Sequence, residues 1–278
     1  MEEYQRLNQA NWDERAPAHA ASPGYAVDRF IADPSHLSDV IRFDLPRLGD
    51  LTGAQGVHLQ CHIGTDTISL SRLGAHMTGL DFSSVSLEQA RRLAAQTRTD
   101  VDFVEADVYD AVTTLGAEAF DLVYTGIGAL CWLPDIRRWA QTVAGLLRPG
   151  GRLFIREGHP MLWALPDPRE DGLLTLEYPY FETAAPIIWD EDGTYVETDA
   201  VFTHNRTHSW NHGLGEVATA LIDTGMSLTA LTEHDSVPWD ALPGQMEKVA
   251  ETEWRLIDRP SRLAHSYTLQ AIKRDGAS

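Results

Sequence analysis

A chain of 278 residues, 43% hydrophobic and 23% charged, has the balance of a globular protein and the length for one large α/β domain with an insertion. Its formal net charge of -19 repels phosphate backbones, which excludes a basic footprint for nucleic acid and favours a small-molecule partner. Cys61 and Cys131 make neither a disulfide framework nor a paired zinc spacing, the start MEEYQRLNQANWDERAP is acidic where a secretory signal would be basic, and no apolar run suits a membrane span, so a cytoplasmic protein is expected.

In chain order, residues 3–16 predict a short amphipathic helix and 36–49 another, each bounded by Pro, Gly or Ser. From Gly56 to Gly158 the pattern becomes strand, turn and helix in repetition: GVHLQ, TDTISLSRLG, HMTGLD, SSVSLEQARRLAA, VDFVEA, FDLVYTGIG, DIRRWAQTVAGLLRPGG and RLFIREG. Such alternation predicts a parallel sheet covered by helices. After an N-capping Asp135, apolar residues Ile136, Trp139, Ala140, Val143, Leu146 and Leu147 fall at helical spacing, and Arg148-Pro149-Gly150-Gly151 turns the chain into the next strand.

Residues 160–212 break this rhythm. Eight of these 53 residues are aromatic, against 9% in the whole chain, and they read as an insertion. GEVATALIDTG then predicts a helix, MSLTALTEHD a strand and LAHSYTLQAIK a last strand, so the insertion interrupts one domain. The expected organisation is a helical lid over 1–50, a cofactor-binding core over 56–158, a substrate cap over 160–212 and a return to the sheet over 213–278.

In open parallel sheets a ligand lies beyond the carboxyl ends of the strands, and four ends carry suitable residues. VHLQCHIGT contributes Gln60, Cys61, His62, Gly64 and Thr65, where Gly64 and an exposed helix N-terminus can bring N–H groups to an anion. GLDFS contributes Asp81, Phe82 and Ser83, with Asp81 placed 17 residues after Gly64 to accept from both ribose hydroxyls. At ADVYD, Asp107 can accept from an adenine amino group while Val108 covers the ring, and Thr125-Gly126 line the floor. A dinucleotide oxidoreductase is disfavoured because GxGxxG is missing.

Through VHLQCHIGTDTISLSRLGAHMTGLDFS, the ADVYD turn, FDLVYTGIGALCWL and LLRPGGRLFI, residues 56–158 resemble the class I S-adenosylmethionine-dependent methyltransferases. His58, Gln60 and His62 stand where that family has an acidic residue and its first two glycines, and only Gly64 remains. The resemblance implies a Rossmann-like, seven-stranded, mostly parallel sheet with helices on both faces. It also implies S-adenosylmethionine as cofactor and an in-line methyl transfer in which the protein aligns the reactants and excludes water. Asn11, Trp12 and Asp13, followed by Tyr25, resemble the lid of such enzymes. A noncatalytic cofactor-binding protein is the rival from another class.

Glu157-Gly158-His159 ends the fifth strand, where His159 can act as base or donor. His204, His208 and His212 recur every fourth residue and would align on a helix, as for a metal site, while Thr207, Asn211 and the flanking alternation fit a strand or loop as well. The aromatic cap, with Tyr180 and Trp210, suits an apolar or delocalised substrate. In carrying Glu170 and Trp210 there, the chain resembles the bacterial prenyl diphosphate C-methyltransferases. That resemblance implies Glu170 as terminal base, Trp210 as a limit on prenyl length, and Mg2+ bridging a diphosphate with Arg29, Arg169 or Arg206 nearby. The competing acceptor is the O or N atom of another small metabolite, which requires no metal.

Overall fold

The alternating pattern builds the expected sheet. The computed structural model describes residues 2–169 and 171–274. Helices α1 (Glu3–Ala21), α2 (Val27–Ala32) and α3 (Asp39–Leu48) precede β1 (Gln55–Leu59). There follow α4 (Thr65–Arg72), β2 (His76–Asp81), α5 (Ser84–Thr97), β3 (Asp102–Glu105), α6 (Ala111–Leu115), β4 (Phe120–Thr125), α7 (Ile136–Leu146) and β5 (Leu147–Gly158). After a short α8 (Pro160–Trp163) and the cap, α9 (Leu214–Asp223), β6 (Met226–His234) and β7 (Ser266–Lys273) complete the sheet.

The strand order is β3-β2-β1-β4-β5-β7-β6, with β7 antiparallel to both neighbours and the first five strands parallel. The winding direction reverses between β1 and β4, the point beyond whose strand ends open α/β sheets bind ligands. Val57, Leu59, Val123, Leu153 and Ile155 point to one face and pack against α7 and α9. Tyr124 and Phe154, on the other face, pack against Ile41 and Leu48 of α3. The apolar stripe of α7 is buried, and Asp135 caps it by accepting from the Arg138 N–H. Each such large apolar side chain contributes roughly 1.5–3 kcal/mol by leaving water.

One expectation changes, one is met and one open alternative is decided. First, α1 runs to Ala21 through Pro17 and is not amphipathic in the usual sense, because the face it buries is polar: Asn8, Asn11, Arg15 and His19. It docks by hydrogen bonds. Asn8 and Asn11 donate to the carbonyls of His208 and His204, and Arg15 donates to those of Gly193, Glu191 and His204. Second, the helix expected at 36–49 is α3, capped by the Ser38 hydroxyl, and α2 precedes it. Third, His208 lies in a strand, Arg206–Ser209, paired with Ile187–Asp190. Extended chain spreads every fourth residue by roughly 13 Å, so the three histidines do not converge. Among the described residues no group of three or more His, Cys, Asp or Glu side chains could hold a metal ion.

The cap also has a second half. Val237, Leu242, Met246, Leu256 and Leu263 pack with Leu162 into a separate apolar cluster. No helix among the described residues is long and apolar enough to cross a membrane.

Candidate functional site

The loop after β1 keeps a glycine-type backbone without the glycines. Gln60, His62 and Gly64 have φ of 57°, 49° and 78°, left-handed at alternate positions. For a residue with a Cβ this costs roughly 1–2 kcal/mol. Local bonds offset the strain: the Gln60 side-chain amide donates to the Ala129 carbonyl at 2.9 Å, and the His62 N–H donates to Asp81 at 2.8 Å. Gly64 is required by packing as well as by φ, since an added Cβ would lie 2.8 Å from Phe103 and 2.9 Å from Ala90.

Beside this loop the other strand ends line up in sheet order. Asp81 accepts from the N–H groups of His62 and Ser83, one on each oxygen, and burial raises its pKa to about 6 against the pull of those donors. Each oxygen keeps a further lone pair. Asp107 accepts from the Tyr109 N–H at 2.8 Å and, on its other oxygen, from Gln5 of α1 at 2.7 Å. Helix α1 lies across these ends: Gln9 donates to the Phe82 carbonyl, and the Ser83 hydroxyl donates to Asp13. Val108 is buried beside Asp107. Cys61 and Thr65 are buried in the loop itself.

Trp12 meets His62 and Trp132 edge-on, with ring centroids 4.9 Å and 5.4 Å away. His62 Nε2 shares a 2.8 Å hydrogen bond with His19 Nδ1, and His19 Nε2 another at 2.6 Å with the Thr194 hydroxyl. The Tyr25 and Tyr195 hydroxyls are bonded to each other, and Tyr195 also contacts His19. Lid, cap and β1 loop therefore share one network. Burial, helped by the Arg15 charge, lowers the His19 pKa to about 4.

The β5 end is organised by Glu157, which the sequence placed only as a neighbour of His159. Its buried carboxylate accepts from the N–H groups of Gly128, Ala129, Leu130 and Gly158 at 2.6–2.9 Å, and burial raises its pKa despite these donors. It fixes the loop after β4. Glu157→Gln turns one oxygen into an amide that faces N–H donors and strands two of them, at a cost of about 3 kcal/mol. The expected result is a melting temperature lower by roughly 10 °C. An unchanged melting curve would show that the loop holds itself.

His159 departs from its expected role. Its Nδ1 accepts from the Met161 N–H, capping α8, and its Nε2 bonds Glu233 at 2.9 Å, so neither nitrogen is free to take a proton. Tyr180 sits against Gly213 at the start of α9. Trp210 is buried edge-on to Tyr4, its indole nitrogen without a partner, beside a small cavity shared with Leu130, Cys131 and Tyr267. Glu170 lies outside the described residues. Arg169, Arg206 and Arg29 are each ion-paired, with Asp171, Asp190 and Glu251 respectively.

This sheet, with its strands in the order β3-β2-β1-β4-β5-β7-β6, is the class I S-adenosylmethionine-dependent methyltransferase fold. Residues 57–153 match a family model described as a methyltransferase domain. The chain is 31% identical over 126 residues to the ubiquinone biosynthesis O-methyltransferase of Actinobacillus pleuropneumoniae serotype 5b (strain L20). That match takes in 44% of this chain and 53% of that protein, so the chain spans about half the length of the curated relatives it matches. An S-adenosylmethionine-dependent methyltransferase from Mesorhizobium loti superposes with a TM-score of 0.59 at 22% identity, covering 83% of this chain and 96% of that one. Geranyl diphosphate C-methyltransferase from Streptomyces coelicolor A3(2) superposes at 0.54 with 14% identity, covering 84% and 77%. At these identities the two structures share the fold.

The residues present fit the cofactor. Asp81 and Asp107 offer acceptors where hydroxyl and amino groups would donate, and the buried Gln60 Oε1 and Thr125 Oγ1 have no protein partner. Buried polar atoms rarely stay unpaired, and two of them at the ends of neighbouring strands invite a polar ligand.

Proposed function

We propose that the protein transfers a methyl group from S-adenosylmethionine to a small molecule with an apolar body and a hydroxyl acceptor. The observation that carries this is the ordered set of strand ends: Asp107 for the base, Asp81 for the ribose, the β1 loop, then Thr125 and Gly126. When bound, the cofactor supplies an activated methyl on a sulfonium. The chain's own contribution is alignment and the exclusion of water by α1 and the cap.

Support for the apolar acceptor comes from the cap. Trp163 stacks on Trp239 at 5.6 Å, and Ile127, Met161 and Leu165 are half-buried against the same cluster. The name of the ubiquinone O-methyltransferases supports oxygen as the receiving atom. A prenyl diphosphate, with Glu170 as terminal base, Trp210 at the chain end and Mg2+ on the diphosphate, is the second reading. The fold it shares with a geranyl diphosphate C-methyltransferase favours it. Against it, the three arginines suited to a diphosphate already sit in ion pairs, at separate places on an acidic surface.

The test is label transfer from S-adenosylmethionine to phenols, amines and prenyl diphosphates, with and without EDTA. Methylation of a hydroxyl acceptor that EDTA leaves unchanged is expected. Mg2+-dependent transfer to geranyl diphosphate would replace this acceptor with the second reading. Cofactor binding without transfer to any acceptor class would favour a binding protein over an enzyme.

A further inference from the structure

In the loop after β1 two donors are already taken by protein partners. The Gln60 amide is spent on the Ala129 carbonyl and the His62 N–H on Asp81. Two side chains that nothing above uses take their place at the next strand. A Cβ built on Gly126, at the end of β4, would stand 3.3 Å from His58 Nε2 and 3.5 Å from Asp66 Oδ2. Gly126 does not have a positive φ, so the glycine here keeps space rather than relieving strain.

The two groups are complementary in kind. His58 has its Nδ1 against the Thr67 hydroxyl at 2.9 Å, and burial holds the ring neutral, with a pKa lowered to about 3. The Thr67 bond leaves Nε2 as the nitrogen that faces the gap, and it is a donor in the tautomer in which Thr67 donates to Nδ1. Asp66, in the first turn of α4, has the Ser38 hydroxyl beside it as a donor, the oxygen of which accepts from the Ile41 N–H. Burial raises the Asp66 pKa to about 6. Asp44, Asp39, Arg156, Tyr25 and Tyr195 are all close enough to Asp66 to interact with its charge. Arg156 is bound through Nη2 to Glu253, and its Nε and Nη1, fully buried, have no partner.

One anionic acceptor and one neutral donor converging on a gap match the two charges of an α-amino acid. Sheet order places this gap at the far end from Asp107, beyond the β1 loop, as the length of a nucleoside amino acid requires. We propose that Asp66 and His58 hold the amino-acid end of the cofactor, Asp66 accepting from its ammonium and His58 Nε2 donating to its carboxylate. This rests on the methyl-transfer reading above.

The experiment compares two ligands by calorimetry: S-adenosylhomocysteine, and 5′-methylthioadenosine, which keeps the nucleoside and sulfur but lacks the amino-acid end. The wild type should prefer the first by about 100-fold, the equivalent of two charge-assisted hydrogen bonds. Asp66→Asn should weaken S-adenosylhomocysteine by about 30-fold and leave methylthioadenosine unchanged. Gly126→Ala, whose methyl meets His58 and Asp66 in tight but tolerable contact, should fill the gap and give the same pattern without removing a charge. Equal weakening of both ligands, or an unchanged ratio in both variants, overturns the assignment alone. A wild type that binds neither nucleoside overturns the methyl-transfer reading and this assignment with it.

Discussion

Asp81→Asn should lower S-adenosylhomocysteine affinity by about 1000-fold while leaving the fold standing. The carboxylate does two things at once. It holds the His62 and Ser83 N–H groups, and each oxygen keeps a lone pair for a ligand hydroxyl. An asparagine keeps one acceptor oxygen and turns an NH2 group toward the other N–H. If His62 loses its partner, one of the two bonds that offset the left-handed backbone at Gln60 and His62 is gone, and the loop relaxes away from the geometry a ligand meets. Two or three charge-assisted bonds at roughly 1.5–3 kcal/mol each account for the loss. Stability should change far less, because burial already penalises the charge at this position, as its pKa near 6 indicates. Calorimetry and thermal melting on the same sample check both halves. An affinity within about tenfold of wild type would remove Asp81 from the site.

The core was legible because its signals are local. The helical spacing in Ile136–Leu146 and the Pro-Gly punctuation after it are properties of adjacent residues, and the structure reproduces them as α7 and β5. The four strand ends were legible for the same reason. What sequence did not show depends on residues far apart in the chain. The polar face of α1 finds its partners far along the chain, because the carbonyls that Asn8 and Asn11 meet belong to His208 and His204, 200 and 193 residues away. His159 looked available because its partner, Glu233, is 74 residues on. Asp66 stands only two residues beyond Gly64, yet its position beneath Gly126 depends on the pairing of β1 with β4. His58 could have been noticed, since it stands at the acidic position of the family's first motif. The second half of the cap had no aromatic bias to mark it.

The pH dependence of binding should separate these site carboxylates from the histidines around them. Asp66 and Asp81 have pKa values raised to about 6 by burial, and each can accept from a ligand only when ionised. Below pH 6 each weakens binding by about tenfold per unit, so at pH 5 affinity should be about 100-fold lower than at pH 7.5. Stability follows another course. For Asp44, Asp66 and Asp81 the folded pKa lies above the unfolded value, so their contribution is fully present below the unfolded pKa and is lost as pH rises through 6 to 7. For His19 and His58 the folded pKa is depressed to about 4 and 3, so their contribution is whole above the unfolded pKa and is lost as pH falls from there toward those values. The two sets oppose each other between pH 5 and 7, and the melting temperature should move by only a few degrees while the binding constant falls steeply. Asp66→Asn should remove one of the two tenfold steps. An affinity that stays flat from pH 7.5 to 5, with the protein folded throughout, would mean that neither carboxylate faces the ligand.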